Sequence, residues 1–423
     1  MQINANGTTS PVSSTYTAMS TPTKTTGATI EGQGTLANSR NMAYDPVNKR
    51  ILIVSKHSNG SNDGKLVLIG ATVTAAGAFT FGSDTTIDNS TNRHYPRVCY
   101  AGGGKFVLFY RDDGNSNRPA GRIVTVASDL SITISSTNEI DGTGAFNAMW
   151  CEYDSGEDKV LLAWTDNSTA NMHVKSYTCS GGSFANASSR TTIETNSNYA
   201  DLEFMDATFG RAMVYDPDTE RMIVMYRTGG SAPTRNAYRC KVIALSGTSI
   251  TVGAMQEIAT GSQGYLSFGY SCTYDTGANK LGFCYQFEDN IVRARVGTVT
   301  GGSTNTISFG TELSVVSEDS EKFVMTGTGH STFALFYRKT SNGGEGRLVG
   351  LSISGTSLSA SNHISTDNNQ QDFINAFLTE DGQIVVSYYH GSGDYKLQTG
   401  LVSSEGTDAD GYVGIANNTA SDG

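Results

Sequence analysis

The chain has 423 residues, with 29 Lys and Arg against 40 Asp and Glu, and so a formal charge of −11. Charged residues are 16% of the chain, against about 25% in an ordinary globular protein. This charge-poor, acidic balance excludes the basic footprint of a nucleic-acid binder. The absence of any apolar run near the ~20 residues of a bilayer-spanning helix argues against membrane insertion.

In chain order, residues 1–20 form a polar N-terminal extension without the basic and apolar regions of a secretory signal. A repeat follows. Each copy has a short apolar strand ending in Tyr, often Asp, a tight turn, Lys or Arg, and a second apolar strand ending in an aromatic. Examples are Tyr44-Asp45 before Arg50–Val54, Tyr153-Asp154 before Lys159–Trp164, Tyr215-Asp216 before Arg221–Tyr226 and Tyr274-Asp275 before Lys280–Tyr285. Weaker copies are anchored at Thr326 and Leu378. The anchors at 44, 100, 153, 215, 274, 326 and 378 are 56, 53, 62, 59, 52 and 52 residues apart, in the range where repeats build propellers or solenoids. A third strand alternates basic and apolar residues, as in Arg122–Val126 and Arg239–Ile243. A Thr/Ser-rich fourth strand ends near an isolated aliphatic such as Ile140 or Ile258.

Period-two alternation bounded by Gly, Asn, Asp and Ser reads as strands. The expected fold is all-β: a seven-bladed β-propeller with four antiparallel strands per blade. A linear β-solenoid is the alternative. Blades are expected to start near residues 40, 95, 147, 210, 266, 321 and 372, within a single domain spanning 21–405. The stretch Thr23–Gly32 resembles the fourth strands, so an N-terminal strand is expected to close the last blade and remove its open edge. In the Tyr-Asp units, Tyr is expected to fill the space between blades, and Asp to start the turn by bonding its own backbone.

Residues 406–423 break the repeat and read as a linker or the start of a further β module. The segment Asp410–Gly423 contains Gly411-Tyr412-Val413-Gly414-Ile415-Ala416 and ends Asp422-Gly423. It resembles the opening of a small β-rich module in virion and tail-fibre proteins of marine bacteriophages, notably those of cyanobacteria. The Ser/Thr/Asn-rich propeller is similar to that class in composition. The resemblance implies a piece of a longer virion polypeptide on the extracellular virion surface, with other virion proteins as partners and a homo-oligomeric assembly.

Chemistry is sparse. The six cysteines are scattered without a CxxC spacing and read as buried reduced thiols. No HExxH, nucleophile elbow, phosphate-binding loop or sialidase Asp-box is present. No catalytic or metal-ligating set and no cofactor are expected; Asp112-Asp113-Gly114-Asn115 leaves a structural Ca²⁺ open. Second strands end at positions that include Arg111, Arg227 and Arg338, followed by polar loops. Those loops share a face with the fourth-to-first connections, which carry His94, Tyr95, Tyr199 and Tyr265. Arg111, Asp112, Arg227, Arg338, His94, Tyr95, Tyr199 and Tyr265 are therefore the candidate ligand-binding residues. Aromatic faces stack on sugar rings and planar polar groups bond hydroxyls. Blade-to-blade ion pairing, or stacking on an aromatic, is the competing role for the arginines. The function expected is a non-enzymatic phage adhesion protein binding host-surface glycan. The alternatives are a ligand-free spacer or assembly hub, and a polysaccharide-degrading enzyme.

Overall fold

The computed structural model describes residues 2–3, 9–10, 28–29, 36–57, 65–74, 77–87, 93–140, 146–166, 168–169, 171–180, 182–195, 201–203, 211–229, 237–260, 269–287, 289–300, 305–317, 319–341, 344–390, 395–403 and 412–413. Among them, no helix is long and apolar enough to cross a membrane. The protein is an all-β propeller built from antiparallel blades.

The second repeat shows how a blade is made. Arg93–Tyr100, Lys105–Asp112 and Arg118–Val126 pair in sequence order, and the outer edge is completed by Ile132–Ile134 and Asn138–Glu139. The outer strand is thus split. At the break, the Ser135 amide bonds the Ile123 carbonyl, and the Ser135 hydroxyl accepts from the Ile123 amide at 2.9 Å. The hydroxyl does the work of the carbonyl that the break removes. Ser188 and Ser361 do the same for Ser176 and Gly350.

Among the described residues the strands form six blade sheets, which corrects the expectation of seven separate blades. The last two repeats share one nine-stranded sheet because Ile364–Leu378 is continuous. Its first half pairs with Glu345–Ser354 as an outer strand, and its second half pairs with Gln383–His390 as an inner one. No Gly or Pro interrupts these fifteen residues, and register shifts at Glu345 and Gly346 absorb the change of direction. The sheet is completed by the N-terminal segment, as expected: Ala28 pairs with Leu397 and Thr29 with Lys396 of the strand Tyr395–Ser403.

The first strands form a ring around the axis. Leu36–Asp45 lies against Arg93–Tyr100, and so on around to Ile364–Leu378, which returns to Leu36–Asp45. The core lies between neighbouring repeats. Leu52 and Val54 pack with Val98, Phe106 and Leu108 of the second repeat, whereas Ile51 and Ile53 pack with Val385 of the last. Second strands are buried on both faces, which is why they read as unbroken apolar runs.

Polar ties recur on the same plan. The Tyr215 hydroxyl accepts from the Gly156 amide of the preceding repeat at 3.1 Å, and the Tyr100 and Tyr274 phenols lie near Asp45 and Asp216 of theirs. Asp45, Asp154 and Asp216 cap their own turns: Asp154 Oδ1, for example, accepts from the Gly156 and Glu157 amides. Both expected roles of the Tyr-Asp unit are present. Lys175, Lys241 and Arg295 donate to the carbonyls of Ile140, Ile193 and Ile258 in the preceding repeat. All six cysteines are free, five of them buried.

Candidate functional site

On the face expected from the sequence, His94, Tyr95, Arg111 and Asp112 come together. Tyr95 has φ 52°, in the left-handed region, beside a register shift between Phe109 and Arg111. Arg111 lies over its ring at 4.7 Å from the centroid and holds Asp113 with two bonds, at 2.5 and 3.0 Å. His94 Nε2 is 3.3 Å from the same carboxylate, and Lys56 Nζ donates to His94 Nδ1 at 3.0 Å. Asp112 pairs with Arg93 and caps the turn at Gly114. Arg338 pairs with Glu321 at 3.3 Å. Arg227 sits in the fourth repeat beside Glu203 and Tyr238 in the ladder. Each arginine thus has neighbours in its own sheet. Tyr199 and Tyr265 lie outside the described residues. Among the described residues, no group of three His, Cys, Asp or Glu is placed to hold a metal ion.

A second site lies on the axis, which the sequence reading did not single out. A cavity of about 600 Å³ is lined by the first strands of the first, second, third and last repeats and by Arg211. Its rim includes Pro46, Thr276, Thr379 and Glu380, so it opens toward the Tyr-Asp turns, on the opposite face from the Arg111 cluster. Three kinds of group meet there. Aromatic walls come from Tyr44, Tyr100, Trp150 and Phe377, with Tyr44 stacked on Phe377 at 5.2 Å and 9°. Planar amides come from Asn41 and Asn375: Asn375 Nδ2 donates to Asn41 Oδ1 and to the Met42 carbonyl, both at 3.0 Å. Charges come from Arg97, Glu152 and Arg211.

Arg97 is only 1% exposed; it lies over the Trp150 ring at 4.5 Å and donates to the Pro96 carbonyl at 2.7 Å. Arg211 Nε donates to Glu152 at 3.0 Å and to the Met213 carbonyl at 2.9 Å. Burial opposes the Arg211 charge, but Glu152 more than offsets it and raises its pKa. The side chains of this pair remain 28% and 15% accessible, so they are open to the cavity. Cys99 and Cys151 also line it; burial, with Cys151 beside it, pushes the Cys99 thiol well up and keeps it protonated.

A signal for this site exists in the sequence. Three residues before the anchors 44, 100, 153 and 378 stand Asn41, Arg97, Trp150 and Asn375. Polar or bulky side chains at one phase of otherwise apolar strands mark the face turned to the axis.

No protein-family model matches the chain, and no curated protein matches it in sequence. Solved structures do resemble it in fold. The BP39L lectin of Burkholderia pseudomallei superposes with a TM-score of 0.56 at 10% identity, covering 86% of this chain and 98% of the lectin. A putative 6-phosphogluconolactonase of Bacteroides uniformis gives 0.51 at 11% identity, covering 80% and 91%. At such identities the likeness is one of fold.

Proposed function

We propose that the protein is a non-enzymatic carbohydrate-binding propeller acting as a virion adhesion protein for host-surface glycan. The observation that carries this reading is the axial cavity. Its volume suits a small saccharide, since ligand pockets run about 300–1,000 Å³. It offers ring faces for C–H stacking, amides for hydroxyls, and an accessible Arg211–Glu152 pair that presents a donor and an acceptor together. The fold is one that a bacterial lectin also uses, which supports the reading. Glycoside hydrolysis ordinarily uses two carboxylates flanking the bond. Of the two carboxylates lining the cavity, Glu152 is bonded to Arg211 and Glu380 is exposed at the rim, which favours binding over cleavage. The virion setting rests on the C-terminal Gly411–Ala416 motif and the Ser/Thr/Asn-rich composition. A spacer role is favoured for the opposite face, where Arg111 and Arg338 are engaged by Asp113 and Glu321.

The test is a glycan array that includes cyanobacterial envelope polysaccharides, probed with the purified chain and with Asn375→Ala. Retention on defined glycans, lost in Asn375→Ala while its melting temperature holds, supports the reading. No retention on any glycan or on whole cells overturns it. Release of reducing ends from a bound polysaccharide would convert the binder into an enzyme.

A further inference from the structure

The two asparagines of the axial cavity stand where the ring closes. Asn41 lies on Leu36–Asp45, the inner strand of the first repeat, and Asn375 on Ile364–Leu378, that of the last, and both line the cavity. Each follows a register shift in its own ladder, between Ala37 and Asn41 and between Phe373 and Asn375; such bulges re-aim a side chain. Their hydrogen bonds fix which way each amide faces. A carbonyl oxygen only accepts, so the Met42 carbonyl holds the amide nitrogen of Asn375 toward itself. The same nitrogen donates to Asn41 Oδ1, which uses its second hydrogen. Asn41 Nδ2 and Asn375 Oδ1 are left over. Among the described residues neither makes a hydrogen bond, with the other or with a third group, and neither is sealed in the packing. The pair is therefore open: it presents a donor and an acceptor on two separate planar groups. A hydroxyl carries its donor and acceptor on one oxygen. A secondary amide carries them on two atoms held apart in one plane, and so complements an open pair.

Two and three residues further along the same strands, toward the rim, stand Phe377 and Tyr44, half-buried and stacked on each other. At ~3.3 Å per residue, this ring pair is about 7–10 Å nearer the mouth than the amides. We propose that the cavity takes a 2-acetamido sugar. Its acetamide carbonyl accepts from Asn41 Nδ2 and its N–H donates to Asn375 Oδ1. Its pyranose ring lies against the Tyr44–Phe377 wall, where the rest of the glycan leaves through the rim. The inference rests on the carbohydrate reading of the cavity and adds the substituent that is recognised.

The experiment is calorimetric titration of the full chain with three methyl glucosides that differ only in the C2 substituent: acetamido, hydroxyl and O-acetyl, each also in the galacto form. The acetate ester keeps the carbonyl and methyl but has no N–H. Two bonds to otherwise unpaired groups predict roughly tenfold or greater preference for the acetamido sugar over the hydroxyl sugar. The ester should fall well below the amide, because it leaves Asn375 Oδ1 facing an oxygen. Asn41→Asp keeps the oxygen that accepts from Asn375 and replaces the free donor with an acceptor. Once its melting curve is shown to match the parent's, it should erase the preference. Equal affinity for the acetamido and hydroxyl sugars overturns the inference while the carbohydrate reading stands. Equal affinity for amide and ester, or a preference that survives in Asn41→Asp, also overturns it, since the contact is then apolar or lies elsewhere. Binding of none of these sugars overturns it too, and the glycan array then shows whether the carbohydrate reading falls with it. If Asn41→Asp does not fold, the comparison of amide with ester on the parent chain decides the question.

Discussion

The Tyr215 phenol sits against the turn of the preceding repeat, where it accepts from the Gly156 amide at 3.1 Å and lies near Asp154. Burial and the nearby Asp154 push its pKa up to about 12. The sign follows from linkage: a phenol raised above its unfolded value of about 10 contributes stability that is full below pH ~10 and lost as pH rises toward ~12. Tyr153 and Tyr274 are raised in the same direction by burial, with Asp158 and Asp216 adding to it. Chemical denaturation against pH should therefore show stability falling above pH ~10, and Tyr215→Phe should flatten the fall. At neutral pH the same variant should lose about 1 kcal/mol, the net value of one such bond. At the acid end, Asp289 is held below the usual carboxylate range by its bonds to Arg293. Its contribution is present above pH ~4 and lost as pH falls, so Asp289→Asn should lessen the acid-induced drop in denaturation midpoint. The Tyr and Asp roles were legible because a turn cap is local. Where the guanidiniums of Arg111 and Arg338 go was not, because it depends on Asp113 and Glu321 being brought within reach by the turn and the strand pairing.

At the scale of elements, the split outer strand is the recurring device, and close approach fixes its residues. A Cβ at Gly310 would stand 1.7 Å from the Thr356 carbonyl oxygen, in the third-to-fourth turn of the next repeat. No rearrangement of a side chain relieves a clash with backbone. Gly310→Ala should cost about 1–3 kcal/mol, as overpacking does, read as a lowered denaturation midpoint. Ser135→Ala, which leaves the Ile123 amide without its acceptor, should cost about 1 kcal/mol or more. The four-strand unit was readable from period-two patterning and turn residues. The fusion of the last two repeats was not. Ile364–Leu378 looks like a strand followed by another strand in sequence, and only the pairing partners on either side show that the chain does not break between them.

For the whole molecule, closure joins the first repeat to the last. Gln383 Nε2 donates to the Thr74 carbonyl at 2.8 Å, Lys49 pairs with Asp381 at 2.7 Å, and Val385 packs with Met42, Ile51 and Ile53. Arg50 ties the first repeat to the second at the Val126 carbonyl. The strand Ala28–Thr29 adds the outer edge of the last sheet. Deleting residues 1–30 should lower the melting temperature and expose an unpaired edge prone to association, seen as a shift to larger species in light scattering. The sequence by itself determined the all-β class, the repeat and its turns, and the closure by an N-terminal strand, because these follow from local periodicity and from the similarity of one strand to another. The tertiary structure decided how the repeats divide into sheets and where the cavity lies. Both depend on contacts between residues far apart in the chain: Asn41 with Asn375, Arg97 with Trp150, Glu152 with Arg211. All but Arg211 lie on inner strands, where their phase in the repeat marks them but their partners are not legible. They become a site only when the ring brings those strands around one axis.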